Sequence, residues 1–190
     1  MNFENAYNKL IGYEGGYSND PDDKGGETFC GIARNYHSDW PGWAIIDGKK
    51  TFENFELLLN TPEMQKLVRD FYKKEFWDAF KADDIPYLIA EEIFEQAVNI
   101  GIPNAAKHVQ LTCNILNRGE RLYSNILADG KYGTISKVTL DICIQKNGID
   151  LVYNVLNIFQ GSYYLSLMLK NETYEKYIGW FNRIELRKKV

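Results

Sequence analysis

Apolar residues spaced along Phe3 to Ile11 predict a first short helix that stops at Gly12. Residues 13 to 50 lose helical periodicity and carry most of the turn residues, ending in HSDWPGWAIIDGKK. A stretch of that length in a compact domain is more often functional than connective, and short β-pairings inside it are expected. Beyond residue 50 the pattern turns helical. Thr61-Pro62-Glu63 has the makings of a helix start, with Thr as N-cap, Pro in the first turn and an acid facing the dipole. Met64, Leu67, Val68, Phe71, Tyr72, Trp77 and Phe80 then form one apolar stripe. Pro86 opens another helix, ended by Gly101 and Pro103, whose faces separate at about 100° per residue. One side holds Ile89, Ala90, Ile93, Phe94, Ala97 and Val98; the other holds Glu91, Glu92, Glu95, Gln96 and Asn99. Further helices are predicted over 104–117, 134–146, 149–169 and 173–188, with a tight Asp-Gly turn in LADGKYGT between two of them.

These elements imply a mainly α fold with a long N-terminal loop. A length of 190 residues suits one good core, or two small units sharing an interface. The net charge of −4 leaves no electrostatic footprint for nucleic acid. Cys30, Cys113 and Cys143 are too few and too scattered for a disulfide framework or a zinc signature. With only two histidines, His37 and His108, and no HExxH pair, a zinc hydrolase is not expected, and no metal or other cofactor is called for. No signal peptide is legible at the start. No apolar run reaches the roughly 18 residues of an integral membrane segment.

The chemistry concentrates in YEGGYSNDPDDKGGETFCGI, residues 13 to 32. Glycine pairs let the backbone approach another group closely, whereas crowded acids repel one another and need a reason to be there. A calcium loop starting at Asp20 would place Asp22 third and Gly25 sixth, but Lys24 occupies the fifth position and Gly31 the place of the closing Glu. Metal binding is the weaker reading. Glycoside hydrolysis needs one carboxylic acid to protonate the leaving oxygen and a second group to steady the oxocarbenium or position water. Glu14, at a helix end and backed by glycines, can keep a raised pKa in a partly apolar pocket. A loop returning over that helix end can bring Asp23 and Thr28 to the same cleft. Spacing alone leaves catalysis and a solvated acidic loop level.

Glu14-Gly15-Gly16-Tyr17, followed by Asn19-Asp20-Pro21, Asp23, Gly25-Gly26, Thr28 and Gly31-Ile32, resembles the signature of glycoside hydrolase family 108. That family comprises bacterial and phage N-acetylmuramidases with a lysozyme-like fold. YKKEFWD (72–78) and FEQAVNIG (94–101) resemble further family elements. AAKHVQ, ADGKYG and GWFNR, in the second half, resemble the accompanying peptidoglycan-binding module. The Glu, Asp, Thr order is also similar to the triad of phage-type lysozymes, with one residue fewer before the Thr. Two departures stand out: Glu95 where the family usually has Asp, and Ala33 where Thr is common.

The resemblance implies a lysozyme-like muramidase region at 1–101 and a helical peptidoglycan-binding-like region at 102–190, packed as one unit. It implies Glu14 as general acid, Asp23 as stabilising or water-positioning carboxylate and Thr28 as a hydrogen-bond partner for water or substrate. The implied partner is the peptidoglycan glycan strand, met at the cell wall or periplasm after export or release. Tyr17, Asp20, Trp40, Trp43, Glu95 and Asn99 are the candidate substrate-binding residues, the aromatic ones for stacking on sugar faces. Cys30 with His37 or His108 offers a thiol nucleophile and base as another chemistry. A non-catalytic wall-binding or secretion-accessory protein on the same fold is the rival class. The basic end, Arg183, Arg187, Lys188 and Lys189, can meet an anionic polymer or simply face a helix C-terminus.

Overall fold

A computed structural model of the chain describes residues 2–11, 16–20, 25–51 and 61–188. The chain divides into two compact units, residues 1–75 and 76–190. The division falls ahead of the 101/102 boundary expected from sequence, because the helix that ends at Ile100 packs on the helices that follow it.

In the first unit, α1 (Asn2–Ile11) buries Phe3, Ala6, Tyr7 and Leu10, the i, i+3, i+4, i+7 stripe of an amphipathic helix. Three two-residue strands follow: β1 (Tyr17–Ser18), β2 (Thr28–Phe29) and β3 (Ile32–Ala33). They form an antiparallel sheet in the order β1-β2-β3, with Ser18 opposite Thr28 and Thr28 opposite Ala33. The β2–β3 connection is Cys30-Gly31, both at positive φ (45° and 76°). That is the two-residue turn whose twist matches paired strands. The expected β-pairing is present.

Residues 13 to 50 also contain a helix that periodicity does not reveal, α2 (Gly42–Lys49). Eight residues bounded by Pro41 and carrying two glycines leave too short a pattern to register, although Trp43 and Ile46 are buried on it. The next helix, α3 (Pro62–Tyr72), starts as expected: Thr61 Oγ1 accepts from the Met64 backbone N–H at 3.2 Å, a true N-cap. Its apolar stripe does not continue as one α-helix to Phe80. After Tyr72 the backbone passes into a π-turn (Lys73–Trp77) and then two 3-10 turns, Asp78–Phe80 and Ala82–Asp84. The wider turn rotates Trp77 into full burial, where its indole N–H donates to Asp83 Oδ1 at 2.9 Å.

The second unit is built on α4 (Tyr87–Ile100), α5 (Ile102–Leu116), α6 (Thr134–Asn147) and α7 (Ile149–Lys170). Helix α4 packs on α5 and α7, and α5 packs on α6 and α7. The predicted last helix is instead a 3-10 segment, Glu172–Arg183, broken at Tyr177 and followed by irregular chain. The two-faced reading of α4 also needs correction. Glu92 and Gln96, on the side opposite the apolar one, are buried as well, because α5 and α7 cover that side.

Candidate active site

Glu14 and Asp23 lie outside the described residues, as do Asp22 and Lys24 of the calcium reading. Asp20 is exposed just after β1. Thr28 begins the middle strand and is half-buried, with its hydroxyl donating to the Gly26 carbonyl at 3.1 Å. Its oxygen keeps lone pairs with which to accept from a water or a sugar hydroxyl.

Immediately before Thr28 stands a buried carboxylate, Glu27. The Tyr17 hydroxyl donates to its Oε1 at 2.9 Å, Arg34 donates to its Oε2 at 2.5 Å, and Lys50 Nζ lies 2.7 Å from Oε1. Both cations are shared with Asp47, which accepts from Arg34 at 2.9 and 2.5 Å and from Lys50 at 3.0 Å. Burial opposes ionisation of Glu27, but the Lys50, Arg34 and Tyr17 hydrogen bonds outweigh it and hold the carboxyl below its ordinary range. The bidentate Arg34 fork, with Lys50 behind it, likewise depresses Asp47. The same carboxylates raise Arg34 and Lys50, so all four stay charged at neutral pH.

This clamp joins β1 (Tyr17), the residue before β2 (Glu27), the residue after β3 (Arg34) and both ends of α2's last turn (Asp47, Lys50). In sequence Tyr17 follows Glu14 by three positions and Glu27 follows Asp23 by four. The chain is thus anchored just downstream of each of the two carboxylates expected from sequence to be catalytic. The clamp also gives Tyr17, an expected stacking residue, a structural partner in Glu27. No periodicity links positions 27, 34, 47 and 50, and sequence reasoning missed the clamp.

Trp40 and Trp43, expected as sugar-stacking surfaces, are core residues. They retain 6% and 3% of their exposure. Their rings meet edge-on at 5.2 Å, Trp40 also faces Phe29 at 6.2 Å, and the Arg34 guanidinium lies 5.0 Å above the Trp43 ring. The indole N–H groups donate to the Leu67 carbonyl (3.3 Å) and the His37 carbonyl (2.7 Å). With faces and polar edges occupied inside the unit, neither offers a ring to a saccharide. Cys30 has its backbone pinned by Gly16 and Tyr72, its N–H donating at 3.0 Å and its carbonyl accepting at 2.8 Å, while His37 packs edge-on to Phe71 at 4.7 Å.

In the second unit Glu95 is engaged on both oxygens. Arg183 at 3.0 Å and Asn99 at 2.9 Å donate to Oε1, and Gln160 at 2.6 Å donates to Oε2. Asn99 Nδ2 also reaches the Glu95 carbonyl at 2.8 Å. A longer acid at this position therefore bridges α4 to α7 and to the 3-10 segment. One residue on, Gln96 donates to Glu92 (2.7 Å) and to the Leu156 carbonyl (3.1 Å), which fixes its amide and makes His108 Nδ1–H donate to its oxygen at 2.7 Å. Gln110 of AAKHVQ holds the ADGKYG turn, donating to Asp129 at 3.0 Å and accepting from Gly130 N–H at 2.9 Å. At the basic end Arg187 pairs with Asp150 at 2.7 Å and Arg183 with Glu95, while Lys189 lies outside the described residues. Glu75 pairs with Lys74 at 3.0 Å.

Among the described residues no three His, Cys, Asp or Glu gather in the manner of a metal site, and no helix is long and apolar enough to cross a membrane. No curated protein matches the chain. Among solved structures, SagA of Brucella abortus superposes with a TM-score of 0.60 at 22% identity, over 96% of this chain and 88% of that one. At that identity the likeness speaks for fold, and the fold is mainly α and lysozyme-like. The family model described as Glycosyl hydrolase 108 matches residues 7–101, half of the chain, a span containing Glu14, Asp23, Thr28 and the whole Glu27 clamp. The chain therefore belongs to the glycosyl hydrolase 108 family, and its substrate is a glycan.

Proposed function

We propose that the protein is an N-acetylmuramidase, cleaving the β-1,4 bond between N-acetylmuramic acid and N-acetylglucosamine in peptidoglycan. The observation that carries this reading is the family match over residues 7–101, which includes the Glu14-Gly15-Gly16-Tyr17 segment. Glu14 acts as general acid and protonates the glycosidic oxygen as the bond breaks. Asp23 either stabilises the oxocarbenium-like sugar or positions the attacking water. Thr28 accepts or donates one hydrogen bond to that water. A loop with glycine pairs on both sides of Asp23 favours a wide gap between the two carboxyls, about 6.5–9.5 Å, and with it inversion at the anomeric carbon. Residues 102–190 hold the polymer and contribute no essential acid, and the protein works at the cell wall or in the periplasm after export or release.

The test is a zymogram on purified peptidoglycan followed by analysis of the new reducing ends. N-acetylmuramic acid at the new ends supports the assignment. N-acetylglucosamine ends would make the enzyme a glucosaminidase, and no clearing at all would favour a non-catalytic wall-binding protein.

A further inference from the structure

Residues 151–169, between Asp150 and Lys170, carry no charge, yet the helix they build, α7, is covered on one side only. Its inner face, with Val152, Leu156, Asn157 and Gln160, is buried on a helix that packs against α4, α5 and α6. The outer face is apolar. Leu151, Ile158, Leu165 and Leu169 remain 38%, 56%, 52% and 88% exposed, with half-buried Val155 and exposed Ser162 between them. A solvated helix face ordinarily carries charge, and a helix apolar all round is ordinarily buried all round. The six positions follow at steps of 4, 3, 4, 3 and 4 residues, the heptad spacing of a seam that packs on another helix. Among the described residues no helix is apolar enough to cross a membrane, so the stripe is not the side of a membrane span. The spacing also reads the same in both directions about residue 160. Laid antiparallel, Leu151 of one copy meets Leu169 of the other, Val155 meets Leu165, and Ile158 covers Ser162. The Asp150 end of each helix then lies beside the Lys170 end of the other, and the helix dipoles oppose. Parallel pairing would set Ser162 on Ser162 and Asp150 beside Asp150. A pattern that complements itself in this way is what a two-fold interface between identical chains requires.

We propose that the outer stripe of α7 is a homodimer interface, occupied by the same stripe of a second copy in antiparallel two-fold packing. The paired length, from residue 151 to residue 169, is about 27 Å at a rise of ~1.5 Å per residue. One helix pair of that length buries less than the roughly 1,200 Å² at which stable interfaces begin, so association is weak, with a Kd on the order of 10–100 μM. A dimer carries two copies of the family-matched unit, and a polymer bound by both is released more slowly than by one. The interface itself is independent of the hydrolase reading, since residues 151–169 lie beyond the family-matched span 7–101.

The test is sedimentation velocity of the full chain from about 5 to about 500 μM, a range that brackets the expected Kd. Monomer should dominate at the lowest concentration and dimer at the highest. Ile158→Glu sets a carboxylate beside the two-fold axis at an exposed position, so it should stay folded and weaken the dimer at least about tenfold. Val138→Glu, exposed on α6 outside the stripe, should leave the Kd unchanged. Oxidising a mixture of Leu151→Cys and Leu169→Cys chains should link positions 151 and 169 between chains, as located by mass spectrometry, whereas neither variant alone should link through its substituted position. Should Ile158→Glu fail to fold, the cross-link decides. A chain that stays monomeric throughout the range would overturn the proposal, and so would one that instead binds anionic lipid vesicles or peptidoglycan through the stripe. A dimer untouched by Ile158→Glu, or a 151–151 link formed by Leu151→Cys alone, would overturn it too.

Discussion

Glu27 shows how much one carboxylate can do when it is buried among three donors. Tyr17, Arg34 and Lys50 all point at it, and Asp47 stops the two cations from leaving an uncompensated positive charge. Removing the charge leaves Arg34 and Lys50 facing an amide, and breaking a desolvated pair costs more than forming it gains. Glu27→Gln should lower the urea-unfolding stability by about 1–3 kcal/mol, below the cost of a fully buried break because Arg34 and Lys50 remain partly in water. An unchanged midpoint would mean that solvent already screens the clamp. Glu27 was passed over in the sequence because an acid in an acid-rich loop looks interchangeable with its neighbours. Only the return of Arg34, Asp47 and Lys50 singles it out. Trp40 and Trp43 erred in the opposite direction: aromatic residues in a glycine-rich loop look exposed, whereas a hidden helix folds them inward. Asp23→Asn should remove most lytic activity and Thr28→Ala less, since a neighbouring water can replace a hydroxyl. Both are read as initial rates of peptidoglycan clearing.

At the scale of elements, legibility followed the length of the pattern. The helices at 87–100, 102–116, 134–147 and 149–170 were readable because each sustains its period over several turns and carries Gly or Pro at its edges. Helix α2 has only Trp43 and Ile46 to announce it. The stripe ending at Phe80 misled because a π-turn preserves apolar spacing while changing the backbone. Gly42 ties α2 to the tryptophan cluster: a Cβ placed there would fall 2.1 Å from the Trp40 ring. Helix propensity alone predicts that Gly42→Ala gains about 1 kcal/mol. Overlap with a ring that is itself buried costs about 1–3 kcal/mol or more. The overlap wins, so Gly42→Ala should unfold at lower temperature than the wild type, and a raised midpoint would show that Trp40 can move aside.

For the whole molecule, stability against pH separates two sets of charges. His108 is buried against Phe159 and Tyr163, donates to Gln96 and has Lys107 as its neighbouring charge. Burial first, and then Lys107, pull its pKa down to about 4. The folded chain therefore leaves His108 neutral while the unfolded chain protonates it near the ordinary value of about 6.5. Stability is complete above about pH 6.5 and falls as pH drops towards 4, by up to about 3 kcal/mol. His108→Gln should flatten that part of the urea-midpoint profile. Glu27 and Asp47, depressed in the fold, lose their contribution only below the ordinary carboxylate range near pH 4. A profile flat between pH 6.5 and 4.5 in the wild type would contradict the burial assigned to His108.

The central claim is that this glycosyl hydrolase acts on peptidoglycan through Glu14. The most direct measurement is the clearing of purified peptidoglycan by the Glu14→Gln variant beside the wild type, with unfolding midpoints of both recorded. The amide keeps the shape of the side chain but has no acidic proton to give the leaving oxygen. General acid catalysis contributes about 10²–10⁴ in rate, so clearing should fall by that factor while the midpoint stays within a degree or two of wild type. Wild-type clearing by a folded Glu14→Gln protein would contradict the account and move the acid elsewhere.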